Sequence, residues 1–172
     1  MTATRRVALL AIAAAAALGA ACSSGDSATG PGDGPDTTGT TPPRAIPVAF
    51  GTAGTVKAEL ATTQAQRDLG LMNRASIAPD SGMLFAWAQD QQFQLVAFYM
   101  RNTHFDLSVA FLDASRRVIN IADMTHDTET LHFATAPFRY AIEAPLGWFQ
   151  AHGVAAGATA TFTIPAGVTI DP

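Results

Sequence analysis

The stretch Thr55-Val56-Lys57-Ala58-Glu59-Leu60 alternates polar and apolar side chains at every step. Successive side chains of a β-strand point to opposite faces, so this period of two predicts a strand with one buried face. Further short apolar runs follow, separated by turn-forming residues: Met83–Trp87, Phe93–Met100, Leu107–Leu112, Arg117–Ala122, Arg139–Glu143 and Thr159–Ile164. Many short strands at this spacing predict a mainly β fold, a single compact sandwich or barrel.

Two gaps between the predicted strands favour short helices. Thr63 precedes Gln66 by three positions, which is the spacing of a capping box at the start of a helix. The segment 147–152 is long enough for one or two helical turns, and Gly153 is suited to the left-handed conformation that ends a helix. We therefore expect one or two short helices in the domain.

Residues 1–22 have the organisation of an export signal. Arg5 and Arg6 form a positive start, and Val7–Ala21 is an uncharged run of apolar and small residues. This run is shorter than the ~20 residues that a membrane-spanning helix needs, which favours a signal peptide. The arginine pair also resembles the motif of a twin-arginine export signal.

The end of the predicted signal, Leu18-Gly19-Ala20-Ala21-Cys22, resembles the lipobox of bacterial lipoproteins. In those proteins the cysteine after the cleavage site carries lipid, so the resemblance implies that Cys22 is lipidated and anchors the chain to a membrane. Gly19 stands where the lipobox usually has a large aliphatic residue. The alternative is an ordinary signal peptide that leaves Cys22 as a free thiol.

A spacer is predicted between the signal and the globular domain. Residues 23–45 consist almost entirely of Gly, Ser, Thr, Pro and Asp, and they lack the apolar side chains that would offset the entropy of ordering them. A flexible chain of this length reaches roughly 25 Å. Residues 46–172 then form the predicted domain, which is exported to the cell envelope.

Charge and cysteine content exclude several classes of function. The chain has ten basic and fourteen acidic residues, a net charge of −4, which becomes −6 once Arg5 and Arg6 are removed with the signal. This is the wrong sign for holding a phosphate backbone, so nucleic acid is not an expected partner. A single cysteine excludes an intramolecular disulfide.

Four stretches resemble the blocks of DUF192, a bacterial and archaeal family of unknown function: Gly70–Arg74, Gly82–Phe85, Phe98–Thr103 and Ile142–Phe149. The resemblance implies a compact β-rich, jelly-roll-like domain and brings no established activity with it. Two positions depart from the family pattern. Asp106 stands two places before the position of a family aspartate, and Ala158 replaces another.

The third of these stretches supplies a candidate ligand site. The planar guanidinium of Arg101, with Asn102 and Thr103 beside it and Asp106 shortly after, has the chemistry to clamp a small anion or polar ligand. In the alternative, Arg101 pairs with Asp106 or Glu143, and Asn102 and Thr103 cap the end of a strand.

The segment 126–132 is a weaker candidate, for a metal. His126, Glu129 and His132 have the nitrogen and oxygen donors that Zn²⁺ accepts, but their spacing follows no established metal motif. The alternative is a solvated loop, and no cofactor is predicted.

The sequence therefore favours an exported, lipid-anchored and non-catalytic domain that binds a small molecule or an envelope protein. No Gly-x-Ser-x-Gly nucleophile elbow is present. The alternatives are an envelope hydrolase or metal-dependent enzyme using Arg101, Asn102 and Asp106 or the segment 126–132, and a purely structural role. The many aromatic and methionine side chains are expected to form the core rather than a pocket.

Overall fold

The computed structural model describes residues 44–172, which contain a six-stranded mixed sheet, a two-stranded sheet and two short helices. The large sheet has the order β1-β2-β3-β8-β5-β6, and the small sheet pairs β4 with β7. The strands are β1 Ala45–Ala49, β2 Thr55–Ala61, β3 Ser81–Gln91, β4 Ala97–Phe98, β5 Leu107–Leu112, β6 Val118–Met124, β7 His132–Phe133 and β8 Phe138–Pro145. The helices are α1 Gln64–Leu69 and α2 Trp148–Ala151.

The alternation in β2 is confirmed. Val56, Ala58 and Leu60 are buried, whereas Thr55 and Lys57 between them are exposed. All strand pairs of the large sheet are antiparallel except β2 and β3, which run parallel. Parallel strands need a crossover connection, and here the crossover contains α1. This crossover brings α1 and the residues after it onto one side of the sheet.

Both faces of the large sheet are covered by separate hydrophobic clusters. Val48, Leu84 and Ile142 point to the face covered by Trp148 and Phe149 of α2, which we call the α2-side core. The α1-side core on the opposite face contains these residues: Ala61, Leu71, Met83, Phe85, Trp87, Phe98, Met100, Leu107, Val109, Phe111, Met124, Ala134, Phe138 and Ala141. Because β3 and β5 have both faces covered, they read as continuous apolar runs.

The predicted mainly β, sandwich-like domain with two short helices is confirmed, although the large sheet stays open and does not close into a barrel. The capping box is present in both directions: the Gln66 amide donates to Thr63 Oγ1 over 3.3 Å, and the Thr63 amide donates to Gln66 Oε1 over 3.1 Å. Gly153 after α2 has the expected left-handed backbone, with φ +65°.

Two predicted strands are wrong in extent. Of Phe93–Met100, only Ala97–Phe98 pairs, because a turn at 93–95 precedes it and a second turn follows it. Thr159–Ile164 makes only isolated bridges, Thr159 to Arg117 and Thr161 to Ala49. It crosses between the two edge strands of the open sheet and therefore has no single partner to run beside.

No helix within residues 44–172 combines the length and the apolar character needed to cross a membrane. The predicted signal, Cys22 and all but the end of the spacer lie outside the described residues.

Candidate functional site

A cavity of about 200 Å³ lies on the α1 side of the large sheet. It is bounded by α1, by β3, by the segment that contains β4, and by β8. Its lining combines apolar and aromatic residues with six polar or charged ones: Gln64, Arg67, Asp68, Leu69, Gly70, Leu71, Met72, Phe85, Trp87, Gln91, Val96, Ala97, Phe98, Tyr99, Thr103, Glu143 and Pro172. An apolar cavity with few convergent polar groups is the usual form of a small-molecule site.

Glu143 is the acid that this sheet buries against the cavity. It pairs with Met83 of β3 on one side and with Val109 of β5 on the other, and both neighbours belong to the α1-side core. Residues directly opposite in neighbouring strands point to the same face, so the carboxyl shares the apolar core and is only 5% exposed. Burial raises the pKa of Glu143 to about 8.

The Glu143 carboxyl makes no hydrogen bond or ion pair with any side chain or backbone group of residues 44–172. Its neighbours across both strand pairs are apolar. Arg67 Nε is the one fully buried polar side-chain atom of residues 44–172 without a partner, so the Glu143 oxygens keep some exposure at the cavity. A carboxyl in this position is neutral unless another group pairs with it, because burial disfavours its charged form.

Gly82 allows β3 to approach β8 closely at this position. A Cβ atom at Gly82 would lie 2.0 Å from the backbone oxygen of Glu143. Only glycine therefore fits at position 82 without a shift of the backbone. The close approach determines where β8 carries Glu143 relative to the α1-side core.

Thr103 is the second polar group that lines the cavity from within. It is only 3% exposed, and its hydroxyl has no hydrogen-bond partner among residues 44–172. A turn positions Thr103 at the cavity. The Thr103 amide donates to Met100 O over 3.1 Å, and the preceding residue, Asn102, has a left-handed backbone with φ +56°. Asparagine is one of the few residues that adopt this conformation readily.

The turn at Asn102 is tied to the loop after α1. The Asn73 amide donates to Asn102 O over 2.7 Å. Arg74 then forms a bidentate pair with Glu59 of β2, with N–O distances of 2.6 and 2.8 Å. These contacts hold two walls of the cavity together.

Arg67 closes the end of the cavity near Trp87. Its Nη1 donates to the backbone oxygens of Thr62 and Ala86, both over 2.9 Å, and its guanidinium lies 5.2 Å from the centre of the Trp87 ring. Burial lowers the pKa of Arg67. Its Nε is buried without a partner among the described residues. Arg67 therefore joins α1 to β3 as a wall of the cavity.

Arg101 lies on the surface, outside the cavity. Its Nε donates to Glu129 Oε1 over 2.9 Å, with the two side chains 55% and 70% exposed, and its guanidinium packs over Tyr99. This pair lowers the pKa of Glu129. The predicted pairing of Arg101 with Asp106 or Glu143 was wrong, because the turn at Asn102 directs Arg101 toward the loop that contains Glu129.

Asp106 pairs with His126 at the surface. Its Oδ1 accepts from the His126 amide over 2.8 Å and lies 2.6 Å from His126 Nδ1. The backbone hydrogen bond, followed by the side-chain one, lowers the pKa of Asp106, and the same side-chain contact raises the pKa of His126. Of the four predicted ligand-site residues, only Thr103 lines the cavity.

The three candidate metal ligands each have a different environment. His126 contacts Asp106, Glu129 contacts Arg101, and His132 lies in β7, where burial lowers its pKa. Within residues 44–172 no three His, Cys, Asp or Glu side chains come together in a way that would hold a metal ion.

Sequence reasoning missed Glu143 as a site residue and named it only as a partner for Arg101. One signal was available: Glu143 is the only acid in an eight-residue strand, and Ala141 and Ile142 before it and Ala144 after it are apolar. A charge within a run that is apolar at both alternating sets of positions indicates a carboxyl that faces a covered surface.

Two solved structures share this fold. A Sinorhizobium meliloti 1021 protein described as a putative transcription regulator is 26% identical, with a TM-score of 0.66, and the match covers 72% of this chain and 98% of that one. A Novosphingobium aromaticivorans DSM 12444 protein of unknown function is 31% identical, with a TM-score of 0.61 and coverage of 68% and 83%.

None of the curated proteins matches the chain significantly in sequence. The profile of the DUF192 family, described as an uncharacterized ACR, matches residues 47–162. That range contains the large sheet except the first two residues of β1, both helices and every residue of the cavity lining except Pro172. The chain belongs to the DUF192 family.

Proposed function

We propose that this domain is a non-catalytic binding module whose small ligand occupies the cavity at Glu143. We further propose that it is exported and held at the cell envelope by a lipid on Cys22. The observation that carries the first part is a convergence. Each of the four stretches that resemble the family blocks contributes to the cavity lining: Gly70, Leu71 and Met72; Phe85; Phe98, Tyr99 and Thr103; and Glu143.

The size and chemistry of the cavity support a small ligand. Its volume of about 200 Å³ lies below the ~300–1,000 Å³ that is common for sites of drug-sized ligands. The Glu143 carboxyl and the Thr103 hydroxyl lack partners among the described residues, so a ligand that hydrogen-bonds to them would recover part of their desolvation cost.

The composition of the lining favours binding over covalent catalysis. The lining residues include no His, Ser, Cys or Lys, which are common nucleophiles and bases. The buried acid Glu143 and the Thr103 hydroxyl supply orientation and specificity to a bound molecule instead.

A melting-temperature screen tests the binding module. Fragments of cationic, neutral and anionic character, small enough for the cavity, are added to the described domain. A ligand at a hundred times its Kd stabilises a protein by ~2.7 kcal/mol, which raises the melting temperature by several degrees. We expect at least one fragment to do this.

Repeating the screen with single-residue variants shows where the fragment binds. We expect the shift to be lost in Glu143→Gln or Thr103→Val and kept in Asp90→Asn, which alters a surface acid outside the cavity lining. If no fragment of any charge raises the melting temperature, the proposed function is overturned. If Arg101→Ala removes the shift and Glu143→Gln does not, the ligand binds at Arg101 and the cavity assignment is wrong.

Mass spectrometry of the mature protein tests the anchor. Two or more acyl chains would hold the protein stably at a membrane, because each buried methylene contributes ~0.8 kcal/mol. We expect a lipid-modified Cys22 at the new N-terminus and membrane association that Cys22→Ser abolishes. An unmodified thiol at Cys22 contradicts the proposal.

A further inference from the structure

We infer that the ligand of this cavity is a small organic cation, a protonated amine whose ammonium group donates hydrogen bonds to the Glu143 carboxylate. The inference rests on the proposed function and narrows it to one chemical class.

The first argument is that the protein supplies no positive charge to Glu143. The residues that pair with it across β3 and β5 are Met83 and Val109, which are both apolar. No ion pair within residues 44–172 includes this carboxyl. A buried carboxyl without a positive partner stays protonated and neutral, and a cation brought by the ligand would stabilise its ionised form.

The other charged side chains of the lining belong to α1. Arg67 directs its Nη atoms at the oxygens of Thr62, Ala86 and Gln64, and it stays at the Trp87 end of the cavity. Asp68 is exposed, and its Oδ1 accepts from Gln64 Nε2 over 2.6 Å. Met83 and Trp87 lie four positions apart on β3, which separates the two ends by roughly 13 Å along the strand. Arg67 is therefore poorly placed to neutralise Glu143.

The remaining lining suits an amine with a compact apolar body. Phe85 and Phe98 meet edge to face with their ring centres 4.9 Å apart, and both line the cavity. Aromatic rings attract cations through the negative charge of their faces. The Thr103 hydroxyl adds an acceptor for a further ammonium hydrogen. An anion, in contrast, would meet the Glu143 carboxyl, while the unpartnered Nε of Arg67 lies at the Trp87 end of the cavity.

Proton linkage distinguishes an amine from a neutral ligand. An ammonium group favours the ionised carboxyl, so its binding releases a proton and becomes tighter as the pH rises from 6 to 8. A neutral alcohol that uses the protonated carboxyl as a donor becomes weaker as the pH rises through the pKa of Glu143, which is about 8. The two classes therefore have opposite pH dependence.

Isothermal titration with three probes of the same shape tests the inference: benzylammonium, benzyl alcohol and benzoate, at pH 6 and pH 8. We expect benzylammonium to bind tightest, with an affinity roughly tenfold or more higher at pH 8 than at pH 6 and with proton release detected in buffers of different ionisation enthalpy. Glu143→Gln should weaken it at least about tenfold, the loss of a charge-assisted hydrogen bond. Asp90→Asn serves as the matched acid-to-amide control and should leave it unchanged.

Each other outcome overturns the inference. Benzyl alcohol or benzoate could bind more tightly than benzylammonium, or benzylammonium could fail to bind at pH 8. The affinity for benzylammonium could also decrease from pH 6 to pH 8, or its binding could take up protons. If Glu143→Gln fails to fold, the test is the proton release measured when benzylammonium binds to the unaltered protein. The proposed function and this inference can fail separately. The proposed function still holds if a neutral or anionic fragment raises the melting temperature and Glu143→Gln or Thr103→Val removes that shift.

Discussion

Two buried polar groups on opposite faces of the large sheet differ in whether they have hydrogen-bond partners. On the α2 side, Ser108 donates to Asp123 Oδ1 over 2.5 Å and accepts from the Gly147 amide over 2.9 Å. On the α1 side, one residue along β5, Val109 pairs with Glu143, whose carboxyl has no partner among residues 44–172. The first group links β5 to its neighbours and to the start of α2. The second borders a cavity.

This difference separates a structural polar group from a recognition group. A buried hydroxyl with both of its hydrogen bonds satisfied contributes to stability and leaves nothing for a ligand. A buried carboxyl without a partner reduces stability and retains its full hydrogen-bonding capacity. Substitutions on the two faces should therefore have effects of opposite sign, in the following order of size.

Glu143→Gln should remove a large pH dependence of stability. The carboxyl titrates near 4.5 when unfolded and at about 8 when folded, so the folded state holds the proton between these values. Stability present at pH 4 is then lost as the pH rises through 8, by as much as ~1.4 kcal/mol per pH unit. Urea unfolding at several pH values measures this. A wild-type curve as flat as that of Glu143→Gln would show that the carboxyl is paired or solvated.

Gly82→Ala should destabilise the protein by about 3 kcal/mol or more, because the added Cβ would overlap the Glu143 backbone oxygen and force β3 and β8 apart. Gly167→Ala is the control: its Cβ would meet nothing within 4 Å, and it should show only the ~1–2 kcal/mol cost of a left-handed alanine. Urea unfolding compares the two. Equal effects would mean that β3 can move away from β8 at little cost.

Ser108→Ala and Thr103→Val compare the faces directly. Ser108→Ala leaves Asp123 and the Gly147 amide without a partner and should cost about 1–3 kcal/mol. Thr103→Val removes a hydroxyl that has no partner in the described residues and keeps the shape of the side chain, so it should be neutral or stabilising. Thermal unfolding of both variants measures the difference. A larger loss from Thr103→Val would contradict the distinction between the faces.

Arg101→Ala should leave the unfolding midpoint unchanged within error. Its ion pair with Glu129 joins two exposed side chains, and pairs of this kind contribute little in water. Denaturant unfolding measures the midpoint, and Arg139→Ala, which removes a less exposed pair with Asp90, is the comparison. A marked loss in Arg101→Ala alone would show that Arg101 stabilises the turn before Thr103.

The local patterns in the chain were sufficient for several of the elements, but they did not predict β1 or β7. The alternation of Val56, Ala58 and Leu60 predicted β2, the Thr63 and Gln66 pair predicted the start of α1, and Leu107–Leu112 is the strand that the apolar run indicated. These features depend on neighbours a few positions apart, so they can be read from the order of residues.

The candidate site depended on contacts between distant residues. The site was placed on Arg101 for the chemistry of its guanidinium beside Asn102 and Thr103; in the structure the left-handed Asn102 turns the chain, and Arg101 pairs with Glu129. The aromatic set was expected to fill the core, and three of its α1-side members, Phe85, Trp87 and Phe98, also border the cavity.

By itself, the sequence determined that a mainly β, DUF192-type domain forms and where several of its strands and helices lie, because strand alternation and helix capping act between near neighbours. Only the tertiary structure decided that Glu143 is buried without a partner beside a cavity. That outcome depends on which strands flank β8, and the pairing of β8 with β3 and β5 joins residues far apart in the chain. Burial and pairing are properties of that three-dimensional surrounding, so the residue type alone does not reveal them.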